Sequence, residues 1–410
     1  MTTKTSKVSA KSTNAFTRII STFELDARLL AMIGALLAIW IGFNFLTGGV
    51  FLTARNLWNL AVQSSVVGVM ATGMVLVIVA RHIDLSVGSL LGFIAMIMAV
   101  LQVQIFPLGT SWNWALTVLI GLLLGALLGA YQGFVISYLQ VPAFIVTLGG
   151  LLIFRGGAWL VTSGRTVAPL DPNFQVLGGG INGSIGAFWS WVVGLIAILF
   201  VIVSAISSRL RRRRYGFPVK ALWAEFLLIA AGIAAVVAFI MVMNAYAKPR
   251  TTIPRGIPIP VLIMIGVAVM MAAMVRLTKF GRYIYAMGGN PEAARLAGIN
   301  TRRVTFFIFV IMGVLCAVAG TIQSARLNAG ANSTGTLAEL SVIAAAVIGG
   351  TSLFGGTGTI TGAILGTVLI ASLTNGMVLI GWTSAIQQVI QGLVLIVAVW
   401  LDIMYQRRRR

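Results

Sequence analysis

The amino-acid sequence predicts an all-α fold, a polytopic transmembrane helical bundle of about 10–12 spans with broken helices and both termini in the cytoplasm. Three observations carry that prediction. Only 9% of the 410 residues are charged and 59% are hydrophobic, whereas about one quarter of an ordinary soluble domain is charged. Mean hydropathy is +1.01, and apolar runs of the roughly 20 residues needed to cross a bilayer recur along the chain. Glycine contributes 46 residues, a density that suits closely packed membrane helices. A soluble enzyme, a secreted disulfide domain and a disordered protein are excluded.

Residues 1–28 are polar and basic and read as a cytoplasmic tail. The apolar run that follows is full length and lacks a small-residue cleavage site, so it reads as an uncleaved first helix. A single transmembrane domain is expected over 29–404, with a basic tail at 405–410. Apolar runs and breakers divide it into segments at about 29–47, 59–80, 86–106, 114–138, 142–162 and 188–208. Six more follow at 223–246, 257–275, 304–325, 338–350, 359–379 and 384–402. The segment at 338–350 is short and reads as a half-helix or re-entrant piece. With the N-terminus inside, 22 of the 29 Lys and Arg residues fall on inner loops, six fall outside, and Arg155 lies within a span. That bias, and not nucleic-acid binding, accounts for the net charge of +21. Cys316 and His82 are single representatives of their types. A disulfide framework or Cys/His metal site is therefore not expected, and Cys316 reads as a small packing residue.

Three stretches depart from plain lipid-facing helix. In Arg81-His82-Ile83-Asp84-Leu85-Ser86-Val87-Gly88-Ser89, Asp84 stands before an apolar run, where its carboxylate can cap a helix start. The stretch is either a broken helix whose end lines a solute path or a capped turn at the cytoplasmic surface. The run from Gly349 to Thr359 is too rich in glycine and hydroxyls for regular helix, and its backbone must be buried in protein or line water. No Lys accompanies it, so it is not a phosphate-binding Walker loop. In Gly288 to Asn300, Asn290 suits an N-cap, Pro291 the first helical position and Glu292 the positively polarised first turn. Gly298 suits the position just past the C-terminus. The result is a helix of about two turns, either a surface connector or a docking element presenting Leu296. Gly125-Ala-Leu-Leu-Gly129 is echoed by Gly362-Ala-Ile-Leu-Gly366, a pattern that favours close helix packing.

Four ordered stretches, His82-Ile-Asp-Leu-Ser-Val-Gly-Ser89, Gln140-Val-Pro-Ala-Phe-Ile-Val-Thr-Leu-Gly149, Gly281-Arg-Tyr-Ile-Tyr-Ala-Met-Gly-Gly-Asn290 and Gly349-Gly-Thr-Ser-Leu-Phe-Gly-Gly356, together resemble one family. It is the permease subunit family of bacterial ABC importers for ribose, xylose, arabinose and galactose, and the resemblance runs from about residue 55 to the C-terminus. The chain is most similar to the xylose-type members, because 190–255 is an insert relative to shorter ones. It departs from the family where Arg81 or His82 stands in place of a common glycine. The resemblance implies an inner-membrane subunit that pairs with itself or a related permease. Two copies of a cytoplasmic ATPase and a periplasmic sugar-binding protein complete the assembly. No cofactor is expected on this chain, since the partner would use ATP-Mg, and the chain itself is not expected to be an enzyme. Within the cytoplasmic loop 281–303, residues Gly289, Asn290, Pro291, Glu292, Ala293, Arg295, Leu296 and Gly298 correspond to the ATPase coupling helix. Asp84, Ser86, Gly88, Gly350, Thr351, Ser352, Gly355, Gly356 and Asn375 become candidates for the pore or its gate, and a pentose, xylose foremost, becomes the expected cargo.

The rival is a proton-coupled secondary sugar transporter, which twelve spans and a basic central loop also fit. Such coupling needs membrane-buried acids or His, and only Asp84, Glu225 and Glu339 lie near span positions. A membrane-embedded transferase needs convergent acids or metal ligands, and Arg165 with Asp171 in loop 163–187 does not supply them.

Overall fold

The structure is a computed structural model that describes residues 27–407; the tails at 1–26 and 408–410 lie outside the described residues. The chain runs through α1 (Ala27–Leu46), α2 (Ala54–Val79), α3 (Val87–Val100, extended by a π-helical turn over Leu101–Ile105), α4 (Asn113–Ser137) and α5 (Ala143–Thr162). A short α6 (Pro172–Gln175) precedes α7 (Gly186–Arg214), α8 (Leu222–Ala245) and α9 (Ile259–Leu277). Then come α10 (Lys279–Gly289), α11 (Pro291–Leu296), α12 (Thr301–Leu327), α13 (Ala338–Ile348), α14 (Ile360–Leu379) and α15 (Ser384–Arg407). Among the described residues ten helices are long and apolar enough to span a membrane, with shorter apolar helices at Ala338–Ile348 and Ser384–Trp400. These are the twelve segments expected from the sequence, with α2 starting earlier because Thr53 accepts a hydrogen bond from the Asn56 amide.

The chain forms two compact units. One comprises Trp191–Ile240 together with the first residues of α1, up to Ala31. Within it, Gly194 lets Ile240 approach α7, and Arg209 forms an ion pair with Glu225 of α8. The other comprises Met32–Ser190 and Met241–Arg410 and contains every candidate site residue.

In this larger unit α2 is central: every residue from Gly68 to Ala80 is buried. Both GxxxG repeats work as close-packing surfaces. A Cβ at Gly125 or Gly129 would collide with the carbonyls of Gly313 or Phe309 on α12, and one at Gly362 or Gly366 with those of Gly349 or Ala345. Cys316 is fully buried in α12.

The short segment is built in two parts. Eleven residues of α13 rise about 16 Å, roughly half a hydrocarbon core, and the irregular stretch 328–337 leads into it. Irregular backbone packed within a bundle needs partners. Arg155 supplies them by donating from Nη1 to the carbonyls of Asn332 (2.9 Å) and Thr334 (3.0 Å). This explains a guanidinium within a span. Gly88 and Gly92 of α3 let the same stretch approach, since a Cβ on either would strike the carbonyl of Gly335 or Thr334.

Candidate functional site

The three unusual stretches meet at one end of the larger unit. Helix α2 ends in a Schellman motif: the Arg81 amide bonds the Ile78 carbonyl at 2.9 Å and the His82 amide bonds that of Val77 at 3.0 Å. This places Arg81 at φ 66°, the left-handed region that glycine adopts without penalty. From there its guanidinium donates to the carbonyls of Gly288 and Gly289, both at 2.7 Å. The Gly356 amide bonds the Val79 carbonyl at 2.9 Å, and the Tyr285 hydroxyl donates to the Gly358 carbonyl at 2.6 Å. Gly288 has no room for a side chain, because its Cβ would meet the Val79 carbonyl and the Gly356 amide. The end of α2, the end of α10 and the 349–358 loop are thus one interlocked junction.

That loop is ordered by its own bonds. The Gly350 and Thr351 amides close a second Schellman motif on Val347 (2.9 Å) and Ala346 (3.0 Å), and Ser352 and Thr357 are joined at 2.9 Å. Gly350, Gly355 and Gly356 all have positive φ. The stretch is therefore a compact turn, buried at Gly349, Thr351 and Ser352 and exposed at Phe354 and Thr357.

Helix α11 projects from the junction. The Asn290 side chain accepts from the Glu292 (3.1 Å) and Ala293 (3.0 Å) amides, and Pro291 opens the helix. Gly298, at φ 82°, closes it, with its amide on Arg295 and that of Ile299 on Ala294. Both caps fall on the residues expected from the sequence. Ala294 packs inward while Leu296 is 80% exposed. A cleft of about 560 Å³ flanks the helix, bordered by His82, Gln140, Pro291, Arg302 and Thr305.

Asp84 departs from the helix-cap expectation. Its Oδ1 accepts from the Ser86 amide (2.8 Å) and hydroxyl (2.6 Å), so it closes a turn one residue short of α3 and caps none of that helix's own amides. Ser86 also accepts from Gln132 Nε2 of α4 at 2.9 Å. Asp84 is 1% exposed and its Oδ2 has no hydrogen-bond partner. Burial outweighs the two Ser86 bonds and pushes its pKa up to about 6. Asn375 lies elsewhere, with its Oδ1 accepting from Asn56 Nδ2 at 2.9 Å between α14 and α2. Gly88 packs against Gly335 and the Glu339 carboxylate.

At the opposite end of the unit lies a cavity of about 490 Å³ that motif reading did not single out. It opens between α2, α12, the stretch 333–341 (which leads into α13), α14 and α15, and its wall carries Gln63, Gln323, Gln387, Gln388 and Gln391. The signal was present as amides inside apolar runs, but the five are divided among three runs far apart in the sequence.

A multi-span bundle with a polar chamber at one end and a rigidly capped helix projecting from the other has the build of a membrane permease. Residues 56–399 match the family described as branched-chain amino acid transport system / permease component, and the chain belongs to this permease family. It is 38% identical to the xylose transport system permease protein XylH of Escherichia coli (strain K12), over 94% of both chains. It is also 38% identical to XylH of Haemophilus influenzae, over 94% of this chain and 98% of that one. Identity to the ribose import permease protein RbsC of E. coli (strain K12) is 32%, over 78% of this chain and 77% of the relative. No solved structure matches. The protein is a multi-pass inner-membrane permease of the sugar ABC-transporter type.

Proposed function

We propose that the chain is the membrane subunit of an ATP-driven importer, forming the path for a pentose, best fitted by xylose, delivered by a periplasmic binding protein. The observation that carries this reading is the junction beneath α11. A helix capped at both ends and exposing Leu296 is tied through Gly288 and Gly289 to the end of central helix α2. A push on α11 from a partner therefore reaches α2 and the 349–358 loop without passing through a flexible link. On this reading the junction faces the cytoplasm with both termini, in keeping with the basic residues on that side. Two ATPase copies bind there and hydrolyse ATP-Mg, while the chain binds no cofactor and catalyses nothing. Two copies of the permease, or it and a relative, enclose the path.

Asp84 and Glu339 favour proton coupling, because each is a buried carboxyl with one oxygen lacking a hydrogen-bond partner. Against that, neither lines either cavity, and Glu225 is engaged by Arg209. The test is extraction of the tagged chain from its own host in mild detergent, with proteins held to it identified and counted. An ATPase retained together with two permease copies is expected. A chain that purifies alone, and whose xylose uptake collapses with a protonophore but survives ATP depletion, would overturn the importer.

A further inference from the structure

The glutamine-lined chamber has a chemistry that says what enters it. Its wall includes one charge, Arg326, with no carboxylate and no lysine. Two of the glutamines are engaged through their NH₂ groups, Gln391 on the Thr374 hydroxyl at 3.1 Å and Gln387 on the Trp382 carbonyl at 2.8 Å. Those are ordinary interhelical or local bonds. Gln63, Gln323 and Gln388 make no side-chain hydrogen bond to any described residue, although they stand on helices that are otherwise strongly apolar. Gln63 and Gln323 are half-buried and Gln388 is exposed, so all three amides are free to meet a polar solute in the chamber.

An amide both donates and accepts, as each sugar hydroxyl does, so several amides around one space match a neutral polyhydroxylated solute. A zwitterionic amino acid needs a partner for each charge. Arg326 could meet the carboxylate, but the wall has no acid for the ammonium group. The volume falls within the roughly 300–1,000 Å³ usual for small-ligand pockets. The chamber also lies at the end opposite α11, the side from which a binding protein would deliver.

Resting on the importer reading, we infer that this chamber is the sugar's contact site in the membrane, where Gln63, Gln323 and Gln388 hydrogen-bond the hydroxyls of a pentose in transit. The wall includes no Trp, Tyr or Phe on which a sugar ring could stack, so the contact is weak and the solute leaves readily.

The experiment uses the complete importer in liposomes, reading uptake of radiolabelled xylose and ATP hydrolysis driven by xylose-loaded binding protein. Each single Gln→Leu change at 63 or 323 should lower uptake at subsaturating sugar about three- to tenfold, the worth of one neutral hydrogen bond. Hydrolysis should stay at the wild-type rate, and Gln323→Asn should recover part of the loss. A Gln63→Leu/Gln323→Leu double variant with unchanged uptake per ATP overturns the chamber and leaves the importer standing. If wild-type uptake needs a proton gradient and no ATP, the importer falls, and the same variants judge the chamber in that uptake. A second measurement does not depend on the leucine variants folding. Cys316 is fully buried, so Gln388→Cys offers a single reachable thiol. Xylose should slow its maleimide labelling more than an equal concentration of leucine does, and identical rates with both overturn the assignment.

Discussion

The two ends of the larger unit are built from opposite materials. At the junction, backbone meets backbone: Gly288 against Val79 and Gly356, and the Arg81 fork on two carbonyls. In the chamber, flexible side chains surround open space. Close-packed backbone has no soft degree of freedom, so displacement at one element moves the next. Long amides re-orient around whatever hydroxyls arrive. The contrast teaches that one end is suited to carrying force and the other to tolerating a moving solute, and that they should respond differently to the same kind of substitution.

The sharpest break compares neighbouring glycines. Gly288→Ala drives a methyl into backbone atoms of two elements, whereas a Cβ at Gly289 meets nothing within 4 Å. ATP-driven xylose uptake is expected to be lost in the first and kept in the second. Equal activity in both would show that the junction is soft.

Nearly as large an effect is expected on α11 itself. Glu292→Lys places a cation at the positively polarised helix start. Gly298→Val forces a β-branched residue to φ 82°, where even an unbranched residue pays about 1–2 kcal/mol. Both variants should insert normally in the membrane and abolish uptake together with binding-protein-stimulated ATP hydrolysis. Full stimulation in either would remove α11 from the coupling path.

An intermediate effect is expected at Arg81. Arg81→Ala forfeits two charge-assisted bonds, each worth about 1.5–3 kcal/mol, and should lower the thermal midpoint and cut uptake about tenfold. Arg81→Gly relieves the left-handed backbone but not the lost fork, so it should recover part of the midpoint and none of the uptake. Recovery of both would mean that backbone strain, and not the fork, matters.

What was legible in the sequence was local. Asn290, Pro291 and Gly298 punctuate α11 through bonds reaching no more than five residues, so their roles can be read from spacing alone. Glycine patterns likewise announced close packing at 125–129 and 362–366. The Arg81 fork joins residues more than 200 positions apart, and nothing in either stretch marks the other. The chamber draws its amides from three helices, and Arg155's carbonyl partners lie in a stretch the sequence read only as a loop. Asp84 misled because a carboxylate before an apolar run signals an N-cap, while here the nearer Ser86 amide and hydroxyl captured it.

Asp84 also yields the mildest prediction, one of stability. Its carboxyl titrates near 3.8 when solvated and near 6 when buried in the folded chain. The folded state therefore holds a proton that the unfolded state has released between those values. By linkage, the contribution of Asp84 to stability is greatest below about pH 4 and is lost as pH rises through about 6, by about 3 kcal/mol in total. His82, two residues away, works in the opposite direction: burial lowers its pKa, so its contribution is lost as pH falls below its ordinary value. Comparing wild type with Asp84→Asn cancels most of the histidine term, since His82 is common to both. The amide keeps an acceptor for Ser86 and cannot ionise. The thermal midpoint of the detergent-solubilised variant should exceed that of wild type at pH 7.5, and the gap should shrink to about a third by pH 4.5. A gap that is constant with pH would mean that Asp84 is already protonated, or already solvated, throughout that range.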